Sequence, residues 1–379
     1  MVKISSQFDS GNIELVQHSK TAAAECFELN IRKDHQSDFF QWFHFRVQGA
    51  KDTACEFILL NASEAAYPAG WDDYQAVASY DREEWFRVDT AYKGKSLVIT
   101  HQPEYDSVYY AYFTPYSYER HMDLLSWAQL SPVCLLQDIG NTLDGNDLSL
   151  LTIGNPETAS RKIWLIARQH PGESMAEWFM EGFLQALLDS DNPTSKALLQ
   201  QAVFYVVPNM NPDGSMRGHL RTNAVGANLN REWVEPTLER SPEVYYVRQK
   251  MQEIGVDLFL DIHGDEALPY NFVAGSEGVP SYHSSIQSLE ESFKQAYSLS
   301  SPDFQDKVGY PKTPAGKANL SIACNYVAET FNCLSFTIEM PFKDNADLPD
   351  ALYGWSSNRS AQLGRDVLVP IRAVVNDLR

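Results

Sequence analysis

The fold is decided by the stretch RKIWLIARQHPGESMAEWFMEGFLQALLDS, residues 161–190. Its first nine residues form a nearly continuous apolar run, which is typical of a strand buried on both faces. From Ser174 onward, large apolar residues recur three and four positions apart, with Glu177 and Glu181 on the opposite, polar face of the predicted helix. The stretch therefore predicts a buried strand, a bend at HPGE and an amphipathic helix.

Three later segments repeat the pattern of a buried strand. They are AVFYVVPN (202–209), VDLFLDIH (256–263) and LSFTIEM (334–340), and helical stretches alternate with them. Alternating strands and helices predict a mainly parallel sheet covered by helices. We assign this α/β domain to residues 126–379.

The first part of the chain has a different pattern. Short runs rich in aromatic and β-branched residues, such as FFQWFHFRV (39–47) and SVYYAYFTPY (107–116), are separated by turn-forming stretches. This spacing predicts an accessory β-sandwich over residues 1–125. A helix within residues 116–132, stopped by Pro132, would connect it to the α/β domain.

Composition limits the classes of partner. The chain has 379 residues, of which 50 are acidic and 30 basic, for a net charge of −20. Such a surface repels nucleic acid and anionic membranes, so we expect neither as a partner. The five cysteines form no C-x-x-C pair, and no long apolar run is present. We expect a soluble, cytoplasmic protein, and the sequence leaves its oligomeric state open.

Polar side chains lie at the predicted carboxyl ends of the strands, where ligands bind in such sheets. His170 and Glu173 follow the first strand, Asn209 and Asp213 the second, while His263 ends the third and Glu339 the fourth. Two histidines and one glutamate, with a fourth position open to water, are a common ligand set of hydrolytic zinc. The pattern predicts one zinc ion per chain, which would lower the pKa of its water to about 7, with Glu339 as the base.

The segment NMNPDGSMRGHLRTNAVGANLNREW, residues 209–233, concentrates arginines and asparagines in an acidic chain. NPDG alone is typical of a turn. Arginines beside a metal centre can bind a carboxylate through paired hydrogen bonds or stabilise an oxyanion. The members of this cluster are Arg217, Arg221 and Arg231, with Asn223, Asn228 and Asn230.

A serine hydrolase is the competing interpretation of the bend. GESMA, residues 172–176, loosely matches a nucleophile elbow between a strand and a helix, but Ala176 replaces the final glycine. That hypothesis also leaves Glu173, Glu339 and the arginine cluster without a role. A serine at the start of a helix more often caps it, so we expect Ser174 to begin the helix.

Four motifs in this order resemble the zinc metallocarboxypeptidases of the carboxypeptidase A type: HPGES, NPDG…RTN…NLNREW, DIHGD and SFTIE. QWFHFRV (41–47) and PYSYERHMDLL (115–125) are similar to segments of the cytosolic carboxypeptidase branch. The resemblance implies an N-terminal antiparallel β-sandwich followed by an α/β/α carboxypeptidase domain with a mainly parallel, mixed sheet.

The resemblance also implies a role for each matching residue. His170, Glu173 and His263 would bind zinc, and Glu339 would be the general base. Arg221 would polarise the scissile carbonyl. Asn230 and Arg231 would hold the free carboxylate of the substrate. The implied activity is hydrolysis of the C-terminal peptide bond of peptides or proteins by metal-activated water.

Two departures from the family pattern bear on this prediction. The position two residues before the Asn-Arg pair, where the family has an aspartate that orients the first zinc histidine, is Asn228. We expect weaker metal binding there. The second departure is KANLSIACNYVAET (317–330), which offers Lys317 as its one basic residue and favours a neutral side-chain pocket. Lys307 and Lys312 could still contribute, and Tyr310 and Tyr326 are candidates for a tyrosine near the substrate.

Two other functions share these residues. A zinc amidohydrolase acting on small N-acyl amino acids would use the same ligands with a smaller pocket. A non-catalytic binding protein could keep the fold and the metal. The presence of Glu339 with all three ligands argues against the second, because a site that has lost catalysis tends to lose such groups.

Overall fold

A computed structural model describes residues 2–378. The strands are β1 (Lys3–Ser5), β2 (Glu14–Lys20), β3 (Glu25–Asn30), β4 (His44–Gln48), β5 (Cys55–Leu59), β6 (Val77–Ser79), β7 (Phe86–Arg87), β8 (Thr90–Tyr92), β9 (Leu97–His101), β10 (Ser107–Ala111), β11 (Cys134–Asn141), β12 (Asp147–Ile153), β13 (Arg161–Ala167), β14 (Ala202–Val207), β15 (Leu258–Asp265), β16 (Phe272–Ala274) and β17 (Leu334–Pro341).

The helices alternate with the later strands. They are α1 (Tyr118–Ala128), α2 (Met175–Leu187), α3 (Pro193–Leu199), α4 (Pro212–Arg217), α5 (Pro242–Ile254), α6 (Ser284–Ser300), α7 (Ala323–Phe331), α8 (Ser357–Asp366) and α9 (Leu368–Val374). Short 3-10 helices lie at Ala62–Glu64, Pro68–Trp71 and Leu229–Arg231.

The N-terminal part consists of two five-stranded sheets. Their strand orders are β1-β4-β10-β6-β7 and β2-β3-β5-β9-β8. All strand pairs in them are antiparallel except β3 with β5, which is parallel. The sheets meet through aromatic rings: Phe57 of the second sheet lies 5.4 Å from Phe45 and 4.8 Å from Tyr110 of the first, measured between ring centroids. The predicted sandwich with its aromatic core is confirmed.

The C-terminal part is built on a seven-stranded mixed sheet in the order β11-β12-β14-β13-β15-β17-β16. The four central strands β14, β13, β15 and β17 run parallel, and the outer strands pair antiparallel. These central strands correspond to the four apolar runs of the sequence. Helices α5 and α7 pack on one face of the sheet, and α2, α3, α6, α8 and α9 pack on the other.

Two details differ from the prediction. Glu177 does not lie on a polar face of α2, because it is fully buried and accepts hydrogen bonds from Arg168 (2.7 Å) and His121 (2.6 Å). NPDG begins the short helix α4 instead of a turn, with the Asn211 side chain accepting from the Gly214 backbone N–H. Buried partners for Glu177 come from other segments of the chain, which helical periodicity alone does not reveal.

The connecting helix lies where the sequence placed it, and α1 ends at Ala128, four residues before Pro132. The predicted boundary between residues 125 and 126 falls inside this helix, so a division of the chain at that point stays a prediction. None of the helices within residues 2–378 is long and apolar enough to cross a membrane.

Candidate metal centre and active site

The bend that follows β13 is held by a buried arginine. Arg168 has a φ of +58°, and its guanidinium donates to the carbonyl oxygens of Pro171 (3.0 Å) and Tyr116 (2.8 Å) as well as to Glu177. Gly172 packs closely against the backbone of Leu220, since a Cβ at position 172 would lie 3.0 Å from the Leu220 carbonyl oxygen. These contacts fix the HPGE loop, whose His170 and Glu173 line a cavity although both are buried.

Three side chains converge at the carboxyl end of the sheet. The Glu173 carboxylate lies between two imidazoles, with its Oε1 2.7 Å from His170 Nδ1 and its Oε2 2.8 Å from His263 Nδ1. All three side chains are buried, and their donor atoms lie within 4.8 Å of one another. The structure thus brings together residues separated by about a quarter of the chain, as the sequence predicted.

Burial and the charges of neighbouring groups set the electrostatics of the cluster. Burial lowers the pKa of His170 to about 3, which keeps its imidazole neutral. Burial would raise the pKa of Glu173, but the two imidazoles outweigh it and lower the pKa. For His263, burial is outweighed by the Asp261 and Glu173 carboxylates, so its pKa is raised.

Each histidine has a second partner on its outer ring nitrogen. Asn228 Oδ1 lies 3.1 Å from His170 Nε2, and Asp261 Oδ2 lies 2.9 Å from His263 Nε2. Outer partners of this kind fix the tautomer and the direction of a metal-binding histidine. Asn228, the residue expected to weaken metal binding because it replaces an aspartate, is therefore in contact with the first histidine. Asp261 was not singled out from the sequence, although its spacing of two residues from His263 along one strand puts both on the same face.

Glu339 lies beside the three side chains at the end of β17. It is buried, and burial raises the pKa of its carboxyl well above the usual range. Its Oε1 accepts a hydrogen bond from the Tyr310 hydroxyl at 3.2 Å, while its Oε2 has no hydrogen-bond partner within the described residues. Of the two candidate tyrosines, Tyr310 thus reaches the site, whereas Tyr326 packs against Trp233 and Arg248.

A cavity of about 550 Å³ opens over this cluster. Arg221, Asn230 and Arg231 line it together with the three candidate ligands and Glu339. The Asn230 amide is anchored because its Oδ1 accepts from the Ala323 backbone N–H at 2.8 Å. All seven residues predicted to form the site therefore face one cavity.

Three other polar residues singled out in the sequence, one from the arginine cluster and two from the end of the second strand, have structural contacts. Arg217 forms a pair of hydrogen bonds with Asp144, at 2.8 and 2.7 Å. Asn209 donates to Glu177, and Asp213 accepts from Thr142, so neither lines the cavity. Each is satisfied by a segment distant in sequence, which neither a strand-end position nor membership of the arginine cluster reveals.

Ser174 is not available as a nucleophile. It occupies the N-cap position of α2, but its hydroxyl makes no capping bond and instead donates to the Thr114 carbonyl oxygen at 2.8 Å. It is fully buried and does not line the cavity. The serine hydrolase interpretation of GESMA is therefore wrong, while the expected start of the helix at Ser174 is confirmed.

The cavity wall contains several charged residues. Of the lysines considered from the sequence, Lys307 and Lys312 line the cavity and Lys317 does not, while Lys294, from the buried side of α6, lines it unexpectedly. Ile322 and Cys324, from the segment 317–330 that favours a neutral pocket, also line the cavity. Carboxylates balance the lysines: the cavity is also lined by Asp265, Glu266, Glu277 and Asp306.

The donor set fits a zinc ion. Two imidazole nitrogens and one carboxylate oxygen are the ligands that zinc prefers in hydrolytic sites, and here they are buried, convergent and open to a cavity. Glu339, whose Oε2 has no hydrogen-bond partner within the described residues, lines the same cavity. Buried carboxylates such as those of Glu173 and Glu339 need either a cation or hydrogen bonds to be stable in their charged form in the interior.

The chain belongs to the zinc carboxypeptidase family. Residues 118–358 match the model of that family, and residues 4–113 match the model of the cytosolic carboxypeptidase N-terminal domain. The resemblance drawn from the four motifs is thereby confirmed. The protein is a metallocarboxypeptidase, a peptide hydrolase that acts at the C-terminal bond, and these matches do not favour an amidohydrolase or a non-catalytic binding protein.

Solved structures of similar proteins agree with this class. A metallo-carboxypeptidase of Burkholderia cenocepacia is 49% identical, with a TM-score of 0.96 and complete coverage of both chains. A metallo-carboxypeptidase of Pseudomonas aeruginosa, in complex with (2-guanidinoethylmercapto)succinic acid, is 47% identical, also with a TM-score of 0.96 and complete coverage. Human cytosolic carboxypeptidase 2 is 33% identical over 294 residues, which are 68% of this chain but 32% of the human protein.

Proposed function

We propose that the protein binds one zinc ion through His170, Glu173 and His263 and releases the C-terminal residue of peptide substrates. The observation that carries this proposal is the convergence of the three buried donors on the cavity that also contains Glu339 and Arg221. When bound, zinc would supply a Lewis acid and lower the pKa of a coordinated water.

Glu339 is proposed as the general base. Its free Oε2 can accept the proton of the attacking water and pass it to the leaving amine. Burial raises the pKa of the Glu339 carboxyl, and a zinc ion bound beside it would favour the charged form that accepts a proton. The Tyr310 hydroxyl, bonded to Asp265 Oδ2 at 2.7 Å and to Glu339 at 3.2 Å, orients the carboxyl group.

Two groups of residues are proposed to hold the substrate. Asn230 and Arg231 bind its free carboxylate, and the Arg221 guanidinium stabilises the oxyanion of the tetrahedral intermediate. The relative from Pseudomonas aeruginosa was solved in complex with a succinic acid derivative, a compound with two carboxylates, and this supports a ligand that carries a carboxylate. The cavity wall offers both lysines and carboxylates to the C-terminal side chain of the substrate. A preference for an uncharged side chain at that position stays a prediction.

The proposed partner is the C-terminus of a peptide or protein, with neither nucleic acid nor membrane. A cytoplasmic location is also proposed, on the basis of the net charge and of five free thiols, since disulfides are rare in reducing compartments.

Elemental analysis tests the metal assignment. We expect about one zinc per chain in the wild type and loss of zinc in Glu173→Ala, because one of three protein ligands is removed. Glu277→Ala is the matched control, since it removes a cavity carboxylate outside the cluster and should retain zinc. Equal zinc content in all three proteins would place the metal elsewhere and refute the ligand set.

A further inference from the structure

The loop that carries Arg221 is attached to the N-terminal sandwich, not only to the catalytic part. Asp34, a buried residue that follows β3, accepts four hydrogen bonds from this loop. The donors are the backbone N–H groups of Leu220 (2.7 Å), Arg221 (2.8 Å) and Thr222 (2.9 Å), and the Thr222 hydroxyl (3.0 Å). One carboxylate thus holds the backbone on both sides of the arginine.

Further contacts between the same two segments reinforce this attachment. The Asn12 amide donates to the Gly218 carbonyl at 2.8 Å, and the His35 backbone N–H donates to His219 Nε2 at 3.1 Å. Gly226 lies so close to the Gln36 carbonyl oxygen that a Cβ would be 2.4 Å from it. The loop from 218 to 226 is therefore docked along its length on residues of the N-terminal part.

The guanidinium itself lies against rings of the N-terminal part. Its central carbon is 5.6 Å from the centroid of Phe39 and 5.4 Å from that of Tyr67. A cation over aromatic faces is attracted by them and loses freedom of movement. Tyr67 also lines the cavity, so the accessory sandwich forms part of the active-site wall.

We infer that the N-terminal sandwich is a component of the active site, with Asp34 as the positioning residue that aligns Arg221 for the transition state. This inference rests on the proposed role of Arg221. A carboxylate is needed at Asp34 because each oxygen accepts from a backbone N–H, so an asparagine would turn its NH₂ group toward a donor in either orientation. Misalignment of Arg221 would weaken binding of the oxyanion while leaving the metal in place.

A double-mutant cycle tests this inference on the zinc-loaded full-length chain. We expect Asp34→Asn to lower kcat by about 10- to 100-fold, the cost of displacing a catalytic group by about 1 Å. In an Arg221→Ala background, the same substitution should change kcat by less than about twofold, because its effect acts through the missing guanidinium. KM for the peptide should change little in either background.

Asp9→Asn is the matched control. Asp9 is also a carboxylate of the N-terminal part that accepts a backbone N–H from another segment, Tyr118 of the connecting helix α1 at 2.8 Å, and no hydrogen bond joins it to the Arg221 loop in the described part of the chain. It should retain wild-type kcat. Thr222→Val, which removes one of the four bonds to Asp34, provides a milder variant of the cycle if Asp34→Asn does not fold.

Three outcomes would overturn the inference. These are a loss of kcat that is as large without Arg221 as with it, a loss of zinc in Asp34→Asn, and a folded Asp34→Asn with wild-type kcat. The second would indicate that Asp34 acts through Leu220, whose carbonyl accepts from the Gly172 N–H of the metal loop at 2.9 Å. Failure of the proposed function would be recognised separately, because wild type and Asp9→Asn would then both be inactive.

Discussion

His263 and Glu339 lie directly opposite each other in the adjacent parallel strands β15 and β17. Side chains at paired positions of neighbouring strands point to the same face of a sheet. The register from Leu258↔Leu334 to Asp265↔Pro341 is unbroken, so the distance between a proposed metal ligand and the proposed base is set by the backbone ladder. Rigid strands hold such a pair more accurately than loops.

The first prediction concerns the base. Glu339→Gln keeps the size of the side chain but removes the proton acceptor, so we expect kcat to fall by about 10²- to 10⁴-fold, the usual contribution of a general base. Zinc content should remain at about one per chain, which separates loss of the base from loss of the metal. Activity within threefold of wild type would refute the assignment.

The second prediction concerns the amide that contacts the first histidine. Asn228→Asp would place a carboxylate 3.1 Å from His170 Nε2, and we expect zinc affinity to rise by about 10- to 100-fold. Competition with a chromophoric chelator at fixed pH measures this change. Asn325→Asp is the control, because it adds the same charge at the cavity while its side chain bonds to Asn319. An equal gain in both variants would mean that general charge, and not the histidine contact, is responsible.

The third prediction concerns recognition of the free carboxylate. Arg231→Gln should raise KM for peptides with a free C-terminus by about 10- to 100-fold, because a hydrogen bond to a charged group is worth about 1.5–3 kcal/mol. Peptides with an amidated C-terminus should be poor substrates of the wild type and should be affected little further. If both kinds of peptide lose activity equally, Arg231 does not bind the carboxylate.

The fourth prediction is a pH dependence of stability. Burial raises the pKa of Glu243, on α5, to about 8, so the folded protein binds its proton more tightly than the unfolded chain does. The stabilising effect of that proton is complete below the unfolded pKa, near 4.3, and is lost as pH rises toward 8. From pH 5 to 8, the free energy of unfolding should therefore decrease by up to about 1.4 kcal/mol per pH unit through this group.

Glu243→Gln should remove this component, because glutamine resembles the protonated form. Denaturant titrations at several pH values measure the slope, and Glu239→Gln at an exposed position is the control. An unchanged slope in Glu243→Gln would show that the side chain is ionised in the folded protein.

Most of the metal site could be predicted from the sequence because its residues lie at strand ends and in short motifs. The strands were visible as apolar runs, and the sheet brought their ends together. Lys294 and Asp261 were missed for different reasons. Lys294 lies on helix α6, in a segment from which no site residue was predicted, while Asp261 had a visible signal, namely its spacing of two residues from His263.

The contacts between the two parts of the chain could not be predicted. Asp34 lies in an unremarkable stretch, LNIRKDHQS, and its four donors are about 190 residues away. The outer strands β11, β12 and β16 were also missed. β11 carries polar, partly exposed residues and β16 has only three residues, whereas β12 is mostly buried and was overlooked despite its apolar run. Pairing across such distances depends on tertiary contacts that neither periodicity nor local motifs encode.

The most direct test of the central claim is the release of C-terminal amino acids from a mixed peptide pool, followed by mass spectrometry. The zinc-loaded protein should shorten peptides with free C-termini one residue at a time, a chelator should stop the reaction, and added zinc should restore it. The identity of the released residues would define the side-chain pocket. Cleavage inside the peptides, or release that continues in the metal-free protein, would contradict the account.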